Sequence, residues 1–226
     1  RDRIHDVAIQ DLPVVMCLDR GGLVGEDGVT HHGVFDMAAF GAVPGLTIAA
    51  PMNEPELRNM MYTALGSGHP FMIRYPRGHG EGLPWRGEKF ETLPVGRGRR
   101  LREGADVALL TVGTVGNAAA RAAGRAAAEG VSVAHYDLRF VKPLDEALLD
   151  EVGRKFRRVV TVEDGSLRGG VGEAVAAFFN GRGYDVRVQR LGIGDEWVEH
   201  GTPGQLYALC GYDEEGILRA LLDTRA

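Results

Sequence analysis

Residues able to do chemistry crowd one stretch. Between residues 13 and 36, PVVMCLDRGGLVGEDGVTHHGVFD places Arg20, two acids (Glu26, Asp27) and two adjacent histidines (His31, His32) in a glycine-punctuated loop. A guanidinium fork grips phosphate or carboxylate, and imidazole is the side chain that exchanges protons near neutrality. The combination suits holding an anionic substrate and moving protons on it. A second arginine, Arg77, follows Tyr75-Pro76 57 positions later (20 to 77). Each arginine trails an apolar run that reads as a strand of one sheet, so the two forks could meet above its carboxyl ends and take a phosphate. Arg74 falls on a different local face from Arg77, and the sequence leaves its role open between the anion site and the structure. His31 and His32 are too close together to ligate from one helix face, and no third ligand shows metal spacing, so no metal site is expected there. A polar surface loop would carry the same residue types, which leaves the positioning elements to decide.

Those elements alternate. Residues 1–11 have the apolar spacing of a helix, 13–18 of a buried interior strand, 35–43 of a short helix and 46–50 of a strand. A helix over 53–67 starts with Asn53 as N-cap and acids in its first turn, with Met60 and Met61 as core packing, and 71–75 is a strand. Residues 78–104 are rich in Gly, Pro and charge and read as a crossing between two units, with 95–101 adding a strand. The arginines there (97, 99, 100, 102) read as a solvated strand edge rather than an anion site. Beyond lie strands at 105–113, 131–138, 158–164 and 184–191, and helices at 117–129, 143–156, 171–179, 203–210 and 213–223. This predicts an α/β protein of two doubly wound, mostly parallel sheet units: 1–85, a linker at 86–97, and 98–226. The run GSLRGGVGEA (165–174) fits neither GxGxxG nor GK[ST] and reads as a structural turn with close helix–sheet contact. His135, within a strand, reads as a core or edge histidine.

Composition bounds the function. The 226 residues carry a formal net charge of -5, with 25% charged and 44% hydrophobic residues. That argues against a general nucleic-acid binder. Only Cys17 and Cys210 are present, far apart, so there is no disulfide framework and a reducing, cytoplasmic setting is expected. No apolar run is long enough to cross a membrane and no signal sequence appears. The start in RDRIHDVAIQDL, without Met, reads as the middle of a longer polypeptide.

The motifs DRGGLVGEDGVTHHGVFD, IRYPRG, LRFVKPLDEALL and VTVEDG, in this order, resemble the deoxyxylulose-phosphate synthases, a branch of the transketolase-like thiamine diphosphate enzymes. The resemblance spans nearly the whole chain. It implies the later part of a pyrimidine-binding domain followed by a transketolase C-terminal domain, in a homodimer. It also implies thiamine diphosphate with Mg2+ as cofactors. The reaction would be condensation of pyruvate, with decarboxylation, and D-glyceraldehyde 3-phosphate, the first step of non-mevalonate isoprenoid synthesis and a supply for thiamine synthesis. Carried onto matching positions, it assigns Arg20 and Arg77 to the aldehyde phosphate and Asp27 and His31 to the reacting carbons. Tyr75 is a weaker substrate contact, and His32 a neighbour.

Two departures qualify that expectation. The GDG-type diphosphate-and-magnesium motif and the GIAEQH-like segment of that family do not occur in these residues, so the main cofactor ligands are expected upstream, in the other half of the same polypeptide. Two alternatives stay open: a beta-type subunit of a 2-oxo acid dehydrogenase, and a non-catalytic dimerisation or regulatory module.

Overall fold

VMCL and FMIR are apolar, unbroken by glycine or proline, and they pair in register as neighbouring parallel strands in the computed structural model, which describes residues 3–223. Before them, a π-helical turn, Arg3–Ala8, stands where a helix over 1–11 was expected; residues 1 and 2 lie outside the described residues. Asp11 at φ 51 and then Pro13 end it. Five elements form the first unit: β1 (Val15–Leu18), α1 (Asp36–Gly41), β2 (Thr47–Ala49), α2 (Glu54–Leu65) and β3 (Phe71–Arg74). Asn53 caps α2 as expected, its side chain accepting from the Glu56 N–H. Side chains on β3 alternate faces. Phe71 and Ile73 meet Met60 and Ala64 of α2, while Met72 meets Val43, Leu46 and Ile48, so Arg74 is carried to the Met72 side, toward α1.

Among the described residues β1 lies at the edge of its sheet, half-buried, with Cys17 exposed. β3 covers one side of it, and among the described residues no strand covers the other.

The second unit runs through β4 (Arg99–Arg102), β5 (Val107–Val112), α3 (Val115–Ala128), β6 (Val133–Asp137), β7 (Phe140–Lys142), α4 (Glu146–Lys155), β8 (Arg158–Ser166), α5 (Val171–Gly181), β9 (Arg187–Ile193), α6 (Pro203–Leu209) and α7 (Glu214–Leu222). Its sheet has the order β4-β6-β5-β8-β9, with only β4 antiparallel. Both faces are covered. Leu109 and Val160 lie under α3 and α7, and Leu110 and Val159 under α4 and α5. Ala119, Ala122, Ala123 and Ala126 line the buried face of α3, and such short side chains let that helix sit close to the sheet. β7, which sequence reading missed, leaves this unit and pairs antiparallel with β2 of the first sheet, with Phe140 in that sheet's core. Among the described residues no helix is long and apolar enough to cross a membrane.

The units are also tied by charge. Glu56 of α2 accepts from Arg139 Nε and Nη2 (2.8 and 2.9 Å) and pairs with Arg99 of β4 (2.8 Å). Arg99 reaches on to Asp137 of β6 (3.1 Å), whose other oxygen accepts from the Arg139 N–H (3.0 Å). Arg99 is thus turned inward, and Arg97 pairs with the buried Asp145; the solvated-edge reading describes Arg100 and Arg102 only.

Two groups on β6 respond to pH in opposite directions. Burial pushes the Asp137 carboxyl up to about 6, against the pull of Arg99 and Arg139. Burial, with Arg99 and Arg102 nearby, pushes His135 down to about 4, and its Nε2 meets Thr111 Oγ1 at 2.9 Å. The unfolded chain ionises Asp137 near 4 while the folded chain holds the proton to about 6, so this stabilisation is full at low pH and lost as pH rises through 6. His135 is protonated below about 6.5 when unfolded but only below about 4 when folded, so its stabilisation is full above 6.5 and lost as pH falls toward 4. Asp137→Asn should therefore steepen the rise of unfolding free energy from pH 4 to 6.5, and His135→Gln should tilt it the other way, each by on the order of 3 kcal/mol across the window. Urea titrations at stepped pH measure this; profiles parallel to the parent's would refute it.

Candidate functional site

The loop after β1 is pinned at both ends. Gly21 N–H donates to Tyr75 O (2.9 Å), and Gly22 and Gly33 exchange backbone hydrogen bonds (2.8 and 2.9 Å). Between them Gly21–Gly25 are buried, as is Gly28, so the segment is no loose surface loop. A 3-10 turn, Gly25–Asp27, raises Asp27 to a half-exposed position.

Arg20 and Arg77, from the ends of β1 and β3, do come together, and they do so on Asp27. Arg77 Nη1 donates to Asp27 Oδ2, and Arg20 Nε lies 3.9 Å from the same oxygen. Arg20 also pairs with Asp19 at 2.5 Å. The Arg77 hydrogen bond holds the Asp27 carboxyl below the usual carboxylate range, with the charges of Arg77, His31 and Arg20 adding to it. His31 is exposed, its Nδ1 at 2.9 Å from Thr30 Oγ1. His32 is occupied otherwise. Its Nδ1 accepts from the Val24 N–H (3.1 Å), which leaves the proton on Nε2 to donate to Val198 O (3.1 Å). That makes it a brace for the loop.

Tyr75 is half-buried against the α2 side of the first sheet, and burial pushes its phenol up. With Arg77 it lines a cleft of about 660 Å3, opposite Asn117 and Arg121 of α3 and Tyr207 of α6. Arg74 is buried. It donates to Asp36 (2.7 Å), Gly33 O (3.1 Å) and Asp164 O (2.9 Å), so its guanidinium is taken up within the fold. The 165–174 turn also has a structural explanation: both Glu163 oxygens accept from the first N–H groups of α5, Val171 and Gly172, at 2.8 Å, where an anion would otherwise bind. A Cβ on Gly172 would stand 2.5 Å from Thr161 Oγ1, so the helix lies hard against the sheet.

Sequence reading missed Asp164, Tyr207 and Tyr212. Asp164 is fully buried and accepts from the Leu23 N–H (3.0 Å), Tyr212 Oη (2.8 Å) and Tyr207 Oη (3.2 Å). These partners lie 43 to 141 positions away, and no local signal could have paired them.

Two family models match the chain: the transketolase pyrimidine binding domain over residues 1–81 and the transketolase C-terminal domain over residues 96–217. The chain belongs to the transketolase family. Among transketolase relatives, a Bacteroides fragilis protein described as 1-deoxy-D-xylulose-5-phosphate synthase is 58% identical over 98% of this chain and 34% of its own length. Proteins of the same description from Bacteroides thetaiotaomicron (57%, over 97% of this chain and 34% of theirs) and Symbiobacterium thermophilum (47%, over 95% and 33%) also match. The chain thus spans about a third of the length of the curated relatives it matches. A solved structure described as a split gene transketolase, inactive beta4 tetramer, superposes with a TM-score of 0.86 at 27% identity, over 97% of this chain and 69% of that one.

Proposed function

We propose that this chain carries the acceptor half of the active site of a thiamine-diphosphate-dependent synthase. That enzyme joins pyruvate, with loss of carbon dioxide, to D-glyceraldehyde 3-phosphate, giving 1-deoxy-D-xylulose 5-phosphate. The observation that carries it is the convergence of Arg20 and Arg77 on one point, in a chain 47–58% identical to proteins described as that synthase. Two forks facing a single oxygen form a ready phosphate grip, which Asp27 holds in shape until a phosphate takes the guanidinium edges. Asp27, then released, is free to accept from a hydroxyl of the acceptor. His31, beside it, is the group to orient the donor carboxylate or pass a proton to the forming alkoxide. Tyr75 bounds the same cleft.

Thiamine diphosphate, when bound, would supply the electron sink for decarboxylating the 2-oxo acid. Among the described residues no three His, Cys, Asp or Glu side chains gather where a metal ion could sit, and the GDG-type motif expected to hold Mg2+ and diphosphate does not occur in this sequence. We assign that site to the upstream part of the polypeptide and derive no step through it. The assembly is read as a cytoplasmic homodimer, and the chain as units 1–85 and 98–226 joined by 86–97. The RYPRG and DGVTHHG loops weigh against the alternative of a 2-oxo acid dehydrogenase subunit, and a non-catalytic module predicts instead that substitutions at Arg20 and His31 are silent in the full-length protein.

Arg77→Ala tests the reading in the full-length protein. The KM for the aldehyde phosphate should rise about 10- to 100-fold, the loss of one charge-assisted fork at about 1.5–3 kcal/mol, while pyruvate decarboxylation without acceptor changes little. An unchanged KM removes Arg77 from the phosphate site.

A further inference from the structure

In a doubly wound sheet, the crevice at the carboxyl ends of the strands where the strand order reverses is the usual place for a ligand. In the second unit that point lies between β5 and β8, since β6 continues to one side and β9 to the other. Here the crevice is filled by the protein itself. Gly22 and Leu23, from the first unit, enter it. A Cβ on Gly22 would stand 1.9 Å from an Asp164 oxygen, and Gly22 sits at φ +85, so only glycine passes. The Leu23 side chain is buried in the cluster shared with Val115, Leu206 and Tyr212.

We infer that Asp164, held by Tyr207 and Tyr212, is a positioning residue: it sockets the Gly22–Leu23 segment and so sets where Arg20 on one side, and Asp27 and His31 on the other, stand. Burial pushes the Asp164 carboxyl up, and against that rise pull the charge of Arg74 and the Leu23 amide, Tyr212 hydroxyl and Tyr207 hydroxyl, all three of which donate to it. Further ties from the same unit hold the segment's far end. His32 donates to Val198 O, and Ser166 N–H to Val34 O (2.9 Å). Arg74 clips Gly33 O to Asp164 O. Asp164 touches none of the groups that would meet substrate; it works through the backbone of Leu23. The C-terminal unit on this account is a rigid seat for a loop that belongs to the other unit, as second contacts commonly are for reactive side chains. The kinetic consequence rests on the function proposed above; the socket itself does not.

The test uses Tyr212→Phe, which keeps the ring in the core and removes one donor, and Asp164→Asn, which keeps an acceptor for Leu23, in the full-length protein. Hydrogen exchange should speed by roughly five- to tenfold in a peptide covering 20–33, where the Gly22, Leu23, Val24 and Gly33 amides are bonded, while the β5 strand keeps its protection. Asp164→Asn should fall between Tyr212→Phe and the parent. The aldehyde-phosphate KM should rise several-fold, by more than decarboxylation of pyruvate alone slows, a split that general destabilisation does not produce. Unchanged exchange over 20–33 in both variants, or equal acceleration in β5, overturns the socket. Faster loop exchange with an unaltered KM upholds the socket and overturns the acceptor-phosphate reading instead.

Discussion

Replacing Arg139 with alanine should lower the unfolding free energy by about 3–5 kcal/mol, the range for breaking a buried ion pair by removing one partner. Arg139 is only 14% exposed at its side chain and forms a two-pronged bond to Glu56, itself 6% exposed. Without it, Glu56 keeps only Arg99, which Asp137 also needs. Residue 139 also stands at φ 59, so alanine gains nothing from the backbone. Urea unfolding measures the loss, and adding Glu56→Gln should recover part of it because the orphaned charge is then gone. The same network joins α2 to the strands of the other unit, so the two units should unfold further apart in denaturant in the single variant than in the parent. A loss below about 1 kcal/mol would mean that Arg99 alone neutralises the cluster.

Turnover should fall by roughly 10²-fold in His31→Ala if His31 passes a proton or orients the donor, as proposed. Thr30 engages Nδ1, which leaves Nε2 for a reacting group, and Asp27 beside it is held ionised by Arg77. The acceptor KM should move less than kcat, because the forks of Arg20 and Arg77 remain. His31→Gln should stay as slow as alanine if His31 passes a proton and recover part of the rate if it orients the donor, since an amide orients but does not exchange protons. Turnover near that of the parent would make His31 a solvated loop residue, and the proton would have to travel by another group.

Much of the fold was legible because its signals are local. Asn53 before Glu54-Pro55-Glu56 announces a helix start, and the side-chain bond to Glu56 N–H is the physical content of that signal. The alanines of α3 and the alternation in FMIR each state their own period, and the latter put Arg74 and Arg77 to different uses. β7 was missed because three residues ahead of a proline carry no period, and its partner β2 is about ninety residues earlier. Apolar content reports β1 as a strand but not its neighbours, so nothing in VMCL names β3 as its partner. In the same way VTVED reads as a strand ending in acids, with nothing to say that Glu163 turns to cap α5 while Asp164 turns to Leu23.

By itself the sequence determined most of the strands and helices, and which side chains could hold a phosphate or move a proton. It also pointed to a family whose cofactor motifs it lacks. Only the tertiary structure decided that Arg20 and Arg77 meet on Asp27, that both ring nitrogens of His32 are taken up by Val24 and Val198, and that the second unit's crevice holds a loop of the first. The division has a physical cause. Propensity, capping and period arise between residues a few positions apart, whereas a buried carboxylate is satisfied by whichever donors the strand order brings to it, here from 43 to 141 positions away.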